Sequence, residues 1–125
     1  MSFRPQLDWM EGKKEFGCNY HKLCRFNHDR GRIQVDLFVM KATAERRPIA
    51  VTISNYDRNG TELGKEKLGF TAVEEATAGV PTIAKALMSV GFAPESKAEP
   101  YARGVVEYIS DHGEELRKAL GGMES

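Results

Sequence analysis

Cysteine is scarce in this 125-residue chain: there are two, Cys18 and Cys24, both in one short stretch. So few thiols exclude a disulfide framework, and two unpaired thiols are expected to be reduced, which predicts a cytoplasmic protein. No stretch approaches the roughly 18 apolar residues of a membrane span. The opening "MSFRPQLDWMEGKKEF" also lacks the apolar centre of a secretory signal. Equally absent are Gly-x-Ser-x-Gly, a phosphate loop and a dinucleotide fingerprint, so the expectation is a binding protein rather than an enzyme. A catalytic centre, if present, would have to be assembled from distant residues, for example Cys24 with His21 or His28.

What is present suits one globular domain over residues 1–125, with 41% hydrophobic and 29% charged residues. Its 18 basic and 18 acidic residues cancel, but not evenly along the chain. Residues 1–70 hold 13 Lys/Arg against 9 Asp/Glu, whereas residues 71–125 hold 5 against 9. The result is a mildly basic front half joined to an acidic back half, compatible with nucleic acid or an acidic surface meeting the basic side.

The front half alternates with period two. In "RIQVDLFVMK", Ile33, Val35, Leu37 and Val39 share one face, opposite Arg32, Gln34, Asp36 and Phe38. In "PIAVTISNY", Ile49, Val51 and Ile53 lie opposite Ala50, Thr52, Ser54 and Tyr56. Such alternation predicts half-buried antiparallel strands with one wet side. "HDRG" and "DRNG" supply turn chemistry, their glycines tolerating the positive φ of a tight hairpin. Flanking strands near Leu23–Asn27 and Thr61–Phe70 complete a meander of three or four strands over residues 20–70. Residues 1–17 form an N-terminal arm whose Trp9 and Phe16 should pack somewhere.

The period then lengthens. Thr71 and Glu74 read as a capping box, Gly79 and Pro81 as a break, and "PTIAKALMSVG" as a short helix ended by Gly91. A second capping box, Ser96 with Glu99, precedes Tyr101, Val105, Tyr108, Ile109, His112, Leu116 and Leu120, an apolar stripe of a single helix over about 20 residues. Strands followed by helices over residues 71–120 predict an α+β two-layer sandwich: an antiparallel meander with C-terminal helices packing on one face.

Cys18, His21, Cys24 and His28 have the residue types of a zinc site, and a zinc-stabilised small domain is one reading of them. If the segment is a strand, however, Cys24 and His28 sit about 13 Å apart, beyond the reach of one ion. The strand reading therefore predicts no metal or other cofactor: two small semi-buried cysteines, and His28 capping a hairpin. "YDRNGTE" spaces its oxygens wrongly for a calcium loop, and "EEATAGVPTIAKAL" places Glu75 and Lys85 where a helix-turn-helix needs small and apolar residues.

The remaining constellation is the polar face of the sheet, carrying Arg32, Gln34, Phe38, Thr52, Ser54 and Tyr56, with Arg25 or Phe26 according to register. Cations track phosphates and rings stack on bases, the combination that single-stranded nucleic acid requires. Arg25, Arg32, Phe38 and Tyr56 are the expected contacts, with Lys22, Arg46 and Arg47 as electrostatic support. The same residue types suit a protein partner, met through the sheet edge or the Tyr101–Leu120 helix by an adaptor, an inhibitor or a homodimer.

Overall fold

A computed structural model of the chain describes residues 4–15 and 17–123; Phe16 lies outside them. The elements run β1 (Met10–Glu11), β2 (Cys18–His28), β3 (Gly31–Met40), β4 (Ile49–Asp57), β5 (Glu62–Phe70), α1 (Val73–Thr77), α2 (Val80–Ser89), α3 (Glu95–Asp111) and α4 (Gly113–Met123). The strands form one antiparallel sheet in chain order, and the helices pack on one side of it. The α+β two-layer sandwich is as expected, with one strand more. That extra strand is short: Met10 pairs with Leu23 and Glu11 with Lys22, so the arm itself edges the sheet.

Alternation decides what is covered. Ile33, Val35, Leu37, Val39, Ile49, Val51 and Ile53 are fully buried beneath the helices. Val73, Ile83, Leu87, Val105, Ile109 and Leu116 meet them from the helical layer. The register places Cys24 opposite Val35 and Phe26 opposite Ile33, so even-numbered β2 residues also face the helices. Phe26 stacks on Tyr101 at 4.2 Å and meets Phe92 edge-on at 5.3 Å. The arm docks on α3: Trp9 stacks on Tyr108 at 4.3 Å, and Leu7 lies over Gly104, where a Cβ would come within 2.9 Å of it.

Helix ends differ from the expectation. Neither capping box forms, because α1 is capped by Ala72 and α3 by Pro94, without side-chain hydrogen bonds. Thr71 precedes the cap of α1, and Ser96 already lies inside α3. By contrast, α2 ends as Gly91 predicts. Gly91 adopts φ +89°, its N–H reaches Met88 O, and Phe92 N–H reaches Leu87 O, a Schellman closure that seats Phe92 in the core. The stripe from Tyr101 to Leu120 is two helices, not one. His112 leaves helical geometry, and its Nδ1 donates to Tyr108 O at 2.9 Å. α4 then restarts at the buried Gly113, and the bend lets Ile109 and Leu116 both face the core.

The two turn glycines do different work. Gly60 takes φ +83° in the β4–β5 turn, as the hairpin demands. Gly31 does not have positive φ; instead the Tyr56 carbonyl of β4 approaches so closely that any Cβ would overlap it. The β2–β3 turn is held by its neighbours. Arg30 N–H donates to His28 Nδ1 at 3.2 Å, and Arg58 Nη2 donates to Asp29 O at 2.5 Å. Gly31→Ala should therefore cost about 2–3 kcal/mol, the range of an overpacked site, whereas Gly60→Ala should cost about 1 kcal/mol for its left-handed backbone alone. Urea denaturation of both variants measures the difference.

Candidate nucleic-acid interface

Because every helix packs on one side, the opposite face of the sheet carries no covering layer among the described residues. The pairing arranges that face in cross-strand rows. Arg25, Gln34, Ser54 and Lys65 form one row; Asn27, Arg32, Tyr56 and Glu62 form the next. On the other side of the first lie Leu23, Asp36, Thr52 and Lys67, and then His21, Phe38, Ala50 and Gly69. At about 4.8 Å between strands, each row spans roughly 14 Å from β2 to β5.

Four of the predicted contacts come together here. Arg25 and Arg32 are exposed, while Phe38 and Tyr56 are half-buried with ring surface on the same face. The three supporting cations do not join them. Lys22 lies opposite Leu37, hence on the helix side, and is ion-paired with Glu11 at the sheet edge. That pair lowers the Glu11 carboxyl pKa and raises the Lys22 ammonium pKa, the hydrogen bond between them being the main cause in each case. Arg47 crosses Gly69 and pairs with Glu75 at 2.8 Å. Arg46 stands in the β3–β4 loop with its guanidinium on Lys41 O at 2.9 Å, exposed and off the rows.

Two cations were missed by sequence reasoning: Lys65 and Lys67, both exposed on the open face of β5. Their spacing of two was legible in "ELGKEKLGF", but glycines at 64 and 69 blur the alternation. The irregularity between Asn55 and Tyr56 also hides the register that selects their face. Lys65 lies 3.6 Å from Glu62 at the end of the strand.

Asp36, an anion in the middle of this face, is no obstacle to phosphate, because its charge is spent internally. It is buried, with Oδ1 2.8 Å from His21 Nε2 and Oδ2 accepting from Gln34 Nε2 at 2.9 Å. Gln34 Oε1 in turn accepts from Arg25 Nε at 2.8 Å. At the far end, His21 Nδ1 donates to the Lys13 carbonyl at 2.9 Å. One hydrogen-bonded chain thus runs from the arm to Arg25 and holds that exposed side chain by Nε.

The cysteine–histidine stretch divides between the two sides of the sheet. Cys24, facing the helices, is fully buried, whereas His21 lies on the opposite face with both ring nitrogens engaged. His28 faces the helix side and donates from Nε2 to Asn55 Oδ1 at 2.8 Å, while Asn55 Nδ2 donates to Val90 O at 2.9 Å. It therefore ties the first hairpin to the end of α2. The half-buried Cys18 donates from Sγ to Tyr20 O. No group of three or more His, Cys, Asp or Glu suited to a metal occurs among the described residues. Compared with protein-family models, curated proteins and solved structures, the chain matches none.

Burial, followed by the negative charges of Asp36 and Asp8, pushes the Cys24 thiol up to about 12. Native protein should therefore show one readily alkylated thiol, Cys18, and one that reacts only on unfolding. The raised pKa means that the folded state favours the neutral thiol. Its contribution to stability is complete below about pH 9, the unfolded value, and is lost as pH rises toward 12. Thiol titration with and without denaturant checks the first expectation, and urea midpoints of wild type and Cys24→Ala above pH 9 check the second.

Proposed function

We propose that this protein is a non-enzymatic, cytoplasmic binder of single-stranded nucleic acid, which it meets through the open face of its sheet. One observation carries the reading: Arg25, Arg32, Lys65 and Lys67 share an uncovered face with Phe38 and Tyr56, and that face's central anion is already matched within the protein. The open-face rows carry one exposed carboxylate, Glu62, which lies 3.6 Å from Lys65, whereas Glu74, Glu75, Glu107, Asp111, Glu114 and Glu115 are exposed on the helical layer. Charge of opposite sign on the two sides of the molecule orients an approaching polyanion toward the sheet. Extended single strands present both phosphates and unstacked bases to such a surface, whereas a duplex hides its bases from Phe38 and Tyr56.

Anisotropy of a labelled single-stranded oligonucleotide tests this. If four cations contact phosphates, log affinity should fall with log salt at a slope of about −3, and Arg25→Glu with Arg32→Glu should reduce that slope by about half. Phe38→Ala and Tyr56→Ala should each cost about 1–3 kcal/mol of binding without altering the slope. Binding indifferent to both kinds of change would sink the proposal.

A protein partner is the second reading, and it too has an observation in its favour. β5 is an edge strand of nine residues with no strand outside it among the described residues, and its Leu63 is 55% exposed. Strand addition at that edge, including by a second copy, would continue the sheet without using Arg25 or Arg32. It predicts a complex or dimer that survives the arginine reversals and is broken by Leu63→Pro.

A further inference from the structure

His21 differs from the molecule's other well-partnered histidine in a way that fixes its proton count. His28 receives a hydrogen bond at Nδ1 from Arg30 N–H and gives one at Nε2 to Asn55, so one ring proton suffices. His21 faces two acceptors. A carbonyl oxygen has no proton to give, so the 2.9 Å contact with Lys13 O requires a proton on Nδ1. The 2.8 Å contact with Asp36 Oδ1 then requires a second proton, held between Nε2 and the carboxyl oxygen. Without it, two lone pairs would face each other inside a site where both side chains are only 10% exposed.

Both ends of this pair reach the proposed binding surface. The His21 ring lies between the backbone of Gly12, where any Cβ would collide with it, and the ring of Phe38, stacked at 4.2 Å. Asp36 reaches Arg25 through Gln34. The charged groups facing the pair are few. The arm contributes Glu11 and the Lys13 backbone, and β3 contributes Asp36 itself. Lys14 and Lys22 act with His21 on Glu11, Asp8 acts on Cys24 across the sheet, and β4 offers Ala50 and Thr52 at this level.

We infer that His21 and Asp36 are positioning residues: the proton they share holds Phe38 and Arg25 in the arrangement that binds single-stranded nucleic acid. This rests on the nucleic-acid reading above. Loss of the proton forces His21 to give up either Lys13 or Asp36, which frees the ring under Phe38 and loosens the Gln34–Arg25 link. Binding is then coupled to protonation of the pair, since apparent affinity scales with the fraction of protein in the competent arrangement.

Asp36→Asn separates positioning from mere packing. An asparagine can donate its amide N–H to Nε2 of a neutral imidazole and still accept from Gln34, which supplies the missing proton permanently. His21→Gln removes the imidazole that holds the shared proton. The experiment is anisotropy of a labelled single-stranded oligonucleotide at constant ionic strength between about pH 5 and 8. Circular dichroism confirms the fold of each variant at each pH. Wild-type affinity should fall with rising pH, by as much as tenfold per unit once the proton is lost. Asp36→Asn should hold the low-pH wild-type affinity across the range, and His21→Gln should bind more weakly with a flat profile. A wild-type profile as flat as that of Asp36→Asn overturns the inference, as does a pH slope that survives in Asp36→Asn. A wild-type protein that binds no oligonucleotide at any pH is a different result: it defeats the nucleic-acid reading and this inference with it.

Discussion

The aliphatic rows of β3 and β4 are what the remainder of the structure answers to. Ile33, Val35, Leu37, Val39, Ile49, Val51 and Ile53 lose all contact with solvent, and each contributes about 1.5–3 kcal/mol of burial. A sheet side chain of this kind can be hidden only by something laid across it. In this chain all four helices follow the last strand, so they close over one face and leave the other uncovered. Local details serve that closure. The Schellman turn at Gly91 drops Phe92 into the core, and the break at His112 lets α3 and α4 cover different parts of the same surface.

One covered face also explains how a chain with no net charge becomes polarised. The helices carry the acidic excess, and β2, β3 and β5 bring two arginines and two lysines to the uncovered side. An anion buried on that side needs compensation, and the hydrogen bonds of Asp36 to His21 and Gln34 provide it. The same bonds reach outward to Arg25 and Phe38 and inward to the arm. A stability requirement and a surface geometry are therefore met by one network.

Much of the fold was legible because period-two alternation is a direct consequence of strand geometry, and Ile33, Val35, Leu37, Val39, Ile49, Val51 and Ile53 obey it. Helix existence and the Gly91 stop were legible for similar reasons. The capping boxes misled because the chain enters α1 and α3 through Ala72 and Pro94, a choice set by how the helices meet the sheet rather than by local hydrogen bonding. The His112 break was hidden because an apolar stripe continues through it; only the burial of Gly113 against Val73 reveals the change of direction. On the uncovered face, the positions of Arg25, Arg32, Phe38 and Tyr56 followed from alternation once register was known. Lys22, named as electrostatic support, is an odd number of residues from Arg25 and so faces the helix side, and Arg47 pairs with Glu75 across 28 positions of sequence. The His21–Asp36 pair, 15 residues apart and joined across a hairpin, could not be seen without the pairing of β2 with β3.

Amide chemical-shift mapping of the protein titrated with a single-stranded oligonucleotide tests the central claim most directly, because it reports location rather than affinity. Perturbations should concentrate on the uncovered rows, at Arg25, Arg32, Phe38, Tyr56, Lys65 and Lys67, with α3 and α4 silent. Perturbations confined to the helical layer, or none at saturating oligonucleotide, would contradict it.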